Sequence, residues 1–255
     1  MYDDLDFTES VENYDAGMPN RLDIMQVPKR HGGLVAEAPV LDPRRISFKG
    51  MVQEATAELT RTELENMAKV FYRNNKKLRI WDDKYVNAFL VSFGFTFIHG
   101  SAGRSAAYAA EFVAPDPFWY SDTPASQTQT LDTSDIVDLT HGGRLETFTI
   151  VNAGTAFNYP VMTITNLTGG TLTRISIINR TTGRTFTYTG SLLNGQALVV
   201  NCGQFTVKNN GVDDYTNFSG SFLWLDPDSN SMEIQAFSFG AGSITFNFAY
   251  TPRYF

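Results

Sequence analysis

The chain has 255 residues, a formal net charge of −7 and 18% charged residues, which is enough length for two ordinary domains and less charge than the roughly 25% usual in globular domains. No lysine or arginine run is long enough to track a phosphate backbone, no apolar segment reaches the roughly 18 residues of a membrane helix, and the opening MYDDLDFTESVENYD is acidic where a signal peptide is basic. Specific nucleic-acid binding and a membrane segment are therefore not expected, and the single Cys202, which cannot form an internal disulfide, suits folding in a cytoplasm.

Residues 1–18 carry six acidic side chains and no basic one, with too few apolar residues for a core of their own. They read as an arm that orders against a neighbouring subunit or stays disordered. From Arg21 short strands follow, with a turn at Gly32 and Gly33 and interruptions at Pro39 and Pro43. A helix over about 60–75 begins at Thr60, whose side chain can cap it while Glu63 reaches back and Leu59 staples onto Leu64. Leu64, Met67, Ala68 and Phe71 recur at helical spacing and make one apolar stripe. Asn74 and Asn75 are suited to end the helix, with Lys76 and Lys77 near its negative pole.

KLRIW and YVNAF flank the turn formers Asp82, Asp83 and Lys84, so a hairpin leads into the stretch from Tyr85 to Tyr120. Strand alternation there places Phe89, Val91, Phe93, Phe95 and Phe97 on one face, which calls for a core. GSAGRSAA, residues 100–107, reads as the loop to a returning strand from Tyr108 to Val113, ended by Pro115 and Pro117. SDTPASQTQT, residues 121–130, has no apolar residue larger than alanine and reads as a linker between a domain at 1–120 and another at 131–255.

The second domain is all β, with nine short strands: RLETFTIVN, PVMTITN, TLTRISIIN, TFTYTG, QALVVNC, QFTVKNN, SFLWLD, SMEIQAF and SITFNFAY. Asn194-Gly195 is the strongest hairpin signal, because both residues accept positive φ. The regular spacing predicts a two-sheet sandwich whose last strand turns Ile244, Phe246, Phe248 and Tyr250 to one face. Cys202, in ALVVNC, reads as a small buried residue of a strand.

Residues with catalytic potential are scattered. His31, His99 and His141 lie far apart, without metal-ligand spacing, and there is no nucleophile elbow or phosphate-binding glycine loop. Glu146, Asp213, Asp214, Asp226 and Glu233 could supply two carboxylates for glycoside cleavage, but no spacing brings a pair together. No catalytic, cofactor-binding or metal-binding residue is expected, and no enzyme. The sequons at Asn166, Asn179 and Asn217 read as turn asparagines, and Asp213, Asp214 and Tyr215 with Trp224 have the composition of a sugar-stacking site or of a protein interface.

A capped helix, a basic strand, a Phe-rich strand and then AEFVAPDPFWY come in an order that resembles the N-terminal half of distal tail proteins of long-tailed bacteriophages. PKRHGG followed by RRISFKG resembles that family's opening. WLDPDSNSMEIQ, residues 224–235, with SITFNFAYTPRYF resembles its end, although Asp228 stands where the family pattern has a glycine after the proline. The resemblance implies a mainly β protein of the distal tail (Dit-like, siphophage) kind: an N-terminal ring-forming mixed β-domain with one α-helix and a C-terminal galectin-like β-sandwich. It implies a structural protein of the virion, assembled in the host cytoplasm as a homo-hexameric ring at the tail tip. The ring would join the tail tube protein to a tail hub or tail-tip protein and to receptor-binding proteins of the baseplate, and would let DNA pass. The basic residues of PKRH, RR and NKK are then expected to face other subunits or the outside. The alternative is a carbohydrate-binding module of a tail or cell-surface adhesin, which would show an exposed aromatic ring beside convergent polar side chains.

Overall fold

The computed structural model describes residues 40–73, 76–81, 83–132, 136–138, 143–237 and 242–255, with four short strand segments before them. The chain divides into two compact units, Met1–Tyr120 together with Phe255, and Ser121–Tyr254.

In the first unit Asn20–Arg21 pairs with Val40–Leu41 and Ile24–Gln26 with Gly33–Val35, both antiparallel. Its main elements are β1 (Arg44–Gln53), α1 (Ala57–Phe71), β2 (Lys76–Trp81), β3 (Lys84–Phe97), β4 (Ser105–Ala114) and β5 (Trp119–Ser121). β2 pairs with the first residues of β3, and Leu5–Asp6 lies parallel to Leu78–Arg79 along β2. The far part of β3 pairs with β4, and β4 pairs with β1 over ten residues, giving the strand order β1-β4-β3. In β1 the strand alternation is nearly regular: Arg44, Ile46, Phe48 and Val52 are buried, while Arg45, Ser47, Lys49, Met51 and Gln53 face solvent.

Helix α1 starts one turn before the expected position. Thr56 is its N-cap, accepting a hydrogen bond from the Leu59 amide at 3.3 Å. Thr60 lies inside the helix, fully buried, and its hydroxyl donates to the carbonyls of Thr56 and Arg104. That second bond ties the helix to the β3–β4 connection, which explains why a threonine occupies an interior helix position. Leu59, expected to staple onto Leu64, is exposed. The predicted stripe is present: Leu64 and Phe71 are buried, Met67 packs against Leu64, Val52 and Ala106, and the helix ends on the Tyr72 cap. Asn74 and Asn75 lie outside the described residues.

The Phe-rich strand departs from expectation in a way that matters for function. The register between β3 and β4 shifts between Leu90 and Ser92, so one extra residue, Val91, stands in β3. Directly paired residues share a face, and the pairs Phe93↔Ala110, Phe95↔Tyr108 and Phe97↔Ala106 lie on the helix-covered face, whereas Phe89↔Val113 lies on the other. The single stripe read from alternation is therefore split. Only Phe93 is covered by α1; Phe95 and Phe97 stay 49% and 41% exposed.

The second unit is a sandwich of two six-stranded antiparallel sheets. One sheet has the order β6 (Ala125–Leu131), β17 (Ser243–Tyr250), β9 (Val161–Leu167), β12 (Ala197–Asn201), β13 (Thr206–Asn209) and β14 (Val212–Asp213). The other runs β7 (Ile136–Asp138), β8 (Gly143–Asn152), β16 (Asp228–Phe237), β10 (Arg174–Asn179), β11 (Arg184–Tyr188) and β15 (Phe218–Gly220). Ile244, Phe246, Phe248 and Tyr250 of β17 all turn inward as expected, into one core shared with Ile150, Met162, Ile164, Ile177, Phe186 and Ile234. At roughly 1.5–3 kcal/mol for each large apolar side chain fully buried, this core dominates the stability of the unit.

Three sequence readings of this unit change. Residues 125–130 of the segment 121–130, read as linker, form strand β6 together with Leu131, paired with β17 from Ala125↔Tyr250 to Leu131↔Ile244. Its polar side chains do not argue against strand here, because Gln127 and Gln129 reach β8, donating to the Thr149 carbonyl and to the Glu146 carboxylate. Asn194-Gly195 lies between β11 and β12, which belong to different sheets, so it turns a crossover; the two-residue hairpin is Asn210-Gly211, with φ of 47° and 83°, between β13 and β14. SFLWLD contributes a single bridge, Leu225 to Asn158, although Phe222, Leu223 and Leu225 are core residues.

Candidate assembly surface

The β1-β4-β3 sheet offers two features that the described residues leave uncovered. Its margin at β1 is a ten-residue strand whose only strand partner among the described residues is β4. The Glu54 amide donates to the Arg104 carbonyl at 2.9 Å, and alternation from there turns the amides of Ser47 and Lys49 away from β4. An exposed strand edge of this length is a template for pairing with another chain. On the helix side of the same sheet Phe95 and Phe97 meet edge to face at 5.8 Å, and with Ile98, also exposed, they form an apolar end to the β3–β4 hairpin beyond the reach of α1. The solvent face of the sheet is mixed, with Arg45 bonded to Glu111 at 2.9 Å, an exposed pair of small energetic weight.

One arginine expected to face outward does not. Arg44 is 2% exposed, its Nε donates to the Pro117 carbonyl at 2.8 Å, and its guanidinium lies 5.5 Å from the centre of the buried Trp119 ring. It is a clamp of the first unit's own fold. His99 is exposed in the β3–β4 connection, and His31 and His141 lie outside the described residues.

The five candidate carboxylates have separate partners. Glu146 accepts from Gln129; Glu233, buried, pairs with Arg180; Asp226 accepts from Trp224 Nε1 at 3.1 Å. Asp214 accepts from the Tyr188 hydroxyl and from Asn217 Nδ2, while Asp213 lies 3.8 Å from Lys208 Nζ. Burial, reinforced by the Asp214 carboxylate, pushes the Tyr188 hydroxyl well above its ordinary range. Cys202 is buried, and burial pushes its thiol up to about 12, against a smaller opposing effect of a hydrogen bond with the Leu223 backbone. Such a thiol is no nucleophile at neutral pH. Among the described residues no group of three or more His, Cys, Asp or Glu is gathered to hold a metal ion.

Two of the sequon asparagines prove to be core anchors, and they belong to a device that the sequence reading passed over. TIVN, SIIN and LVVN end β8, β10 and β12 in Asn152, Asn179 and Asn201, and TITN brings Asn166 to the last residue but one of β9. Each side-chain oxygen accepts the amide two residues on, at 3.0–3.1 Å: Gly154, Thr168, Thr181 and Gly203. Asn152, Asn166 and Asn179 are fully buried, and their amide nitrogens donate to backbone carbonyls, Asn166 to those of Gly170 and Leu192. The recurrence of apolar-x-Asn at four strand ends was the available signal.

Comparison with known proteins gives this architecture its class. Residues 153–254 match the family described as siphovirus-type tail component, C-terminal domain, of the SPP1 Dit kind. The fold of the whole chain matches the crystal structure of SPP1 Dit (gp 19.1), described as a paradigm of the hub adsorption apparatus in phages infecting Gram-positive bacteria. The TM-score is 0.68 at 13% identity, covering 94% of this chain and 90% of that one. A second structure, the VP2 subviral particle of infectious bursal disease virus, reaches a TM-score of 0.23 at 14% identity over 91% of this chain and 57% of that one, too little to carry an argument. No curated protein sequence matches the chain. Residues 153–254 of the second unit are thus similar to the C-terminal domain of siphovirus-type tail components. The chain as a whole shares the fold of SPP1 Dit.

Proposed function

We propose that this protein forms a homo-hexameric ring at the tip of the phage tail, built by its first unit, with the sandwiches carrying contacts to neighbouring tail proteins. The observation that carries the reading is the open β1 edge together with the apolar end of the β3–β4 hairpin on the same sheet. Because the two surfaces differ, joining one to the other is a head-to-tail contact, which closes into a ring when the rotation between subunits divides a full turn. The tail tube protein on one side, a tail hub or tail-tip protein on the other, and receptor-binding proteins around the sandwiches are the partners that a Dit-like ring implies. Its role is to connect and to let DNA through, without chemistry of its own.

Light scattering tests the ring: the expected mass is six times the 28.4 kDa of one chain. Ser47→Pro or Lys49→Pro removes an outward amide of the β1 edge, a substitution that an edge strand tolerates, and should leave a folded protein of lower mass. A monomer at every concentration, or a ring indifferent to both substitutions, would sink the reading or its interface respectively.

A further inference from the structure

The second unit carries an aromatic ridge that its own core does not use. Phe205 and Tyr215 are 57% and 56% exposed, and each rests on the nearly buried Phe222, at ring-centre distances of 5.3 and 6.2 Å. Phe218 backs Tyr215 at 5.3 Å and Tyr159 backs Phe205 at 6.3 Å, so both rings are held in place while much of each stays open to solvent. Phe205 sits at φ 56°, a left-handed conformation unusual for a bulky residue. Backbone strain spent on holding a solvent-facing ring points to a ligand and not to packing.

The size of the ridge selects the kind of ligand. Two half-exposed rings offer roughly 200–250 Å² of aromatic surface, given about 150–250 Å² for a whole side chain. That is far below the roughly 800 Å² that each partner gives to a stable protein interface. The spacing fits a smaller object: two rings resting on one shared ring stand within about 12 Å of each other, a span that a short run of sugars can cover. Polar groups for hydroxyls are close in sequence. Asp213 and Asp214, just before Tyr215, line an open depression of about 510 Å³ with Gln196, Asn209 and Asn210. Two carboxylates disfavour an anionic polymer; Asp214 is held by Tyr188 and Asn217, while the exposed Asp213, beside Lys208, and the side-chain amides can meet neutral hydroxyls.

We propose that the Phe205–Tyr215 ridge binds a neutral glycan, with the two rings stacking on pyranose faces and the depression lined by Asp213 and Asp214, next to Tyr215 in the chain, taking hydroxyls. This site is independent of ring assembly. The test is a calorimetric titration of the full chain with cellotetraose, maltotetraose and chitotetraose, followed by amide shift mapping. At least one should bind, with shifts centred on residues 203–222, and Phe205→Asn, which keeps a residue that tolerates positive φ, or Tyr215→Ala should each weaken binding by about tenfold or more. Met51→Ala, an exposed apolar change in the first unit, should leave affinity unchanged. No binding of any of the three, shifts centred elsewhere, or unaltered affinity in both ridge variants would overturn the proposal; the mass by light scattering reports separately on the ring.

Discussion

Phe71 of α1 meets Phe93 of β3 edge to face, with ring centres 5.0 Å apart, and a second edge contact at 5.6 Å joins Phe71 to Phe112 of β4. One side chain thus fastens the helix to two strands of the β1-β4-β3 sheet. Phe71 is 2% exposed, so Phe71→Ala leaves a cavity with little freedom to collapse. The expected loss is about 3–5 kcal/mol, read from chemical denaturation. An unchanged midpoint would mean that the helix is not held by this contact.

The sandwich should fold alone, provided that β6 is kept. A fragment of residues 121–254 is expected to show dispersed amide resonances and a cooperative transition. A fragment beginning at residue 132 loses the β6 ladder and the fully buried Leu131, and should be less stable by at least about 2 kcal/mol. Equal stability of the two would show that the edge strand contributes nothing, and a disordered longer fragment would refute independence.

Alkaline pH should unfold the protein through its buried acids. Cys202 and Tyr188 hold their protons more tightly folded than unfolded. The stabilisation is complete below the unfolded values, near 9 for the thiol, and is lost as pH rises through the folded value of about 12. By pH 11 the thiol alone should have removed roughly 2–3 kcal/mol at 1.36 kcal/mol per pH step. Denaturation curves from pH 8 to 11 check this, and Cys202→Ala should flatten the slope that begins near 9. A slope unaltered in that variant would remove the thiol from the account.

Duplex DNA should not bind. A net charge of −7 and the absence of a basic run give no means of releasing counterions from a phosphate backbone, and Arg44 is consumed by the fold. Anisotropy of a short labelled duplex at low salt should stay flat. Tight, salt-dependent binding would contradict a neutral or negative passage for DNA.

What the sequence disclosed follows from how local each signal is. The stripe Leu64, Met67, Ala68 and Phe71 and the inward run Ile244 to Tyr250 depend on the period of one element, and both stand as read. The start of α1 is not legible, because Thr56 and Thr60 are both capable caps and only the contact with Arg104 decides between them. Strand β6 reads as linker because its polar face is satisfied by Thr149 and Glu146, partners that chain order does not reveal. The aromatic ridge is hidden because Phe205, Tyr215 and Phe222 stand apart in the chain, although Asp213, Asp214 and Tyr215 are legible as a polar rim. The asparagine at four strand ends needed no structure to be seen.

The extra residue at Val91 makes β3 a strand with two phases. Before it, Val86 and Ala88 are buried; after it, the odd-numbered phenylalanines take over the same face. Val91 is therefore the residue that β3 can lose without turning a side chain over. Without it Leu90, Ser92 and Phe93 would stand in plain alternation opposite Phe112, Glu111 and Ala110, and Phe93, Phe95 and Phe97 would keep the helix side. A single residue added beyond Ser92, with no second bulge to absorb it, would instead exchange the two faces from that point on.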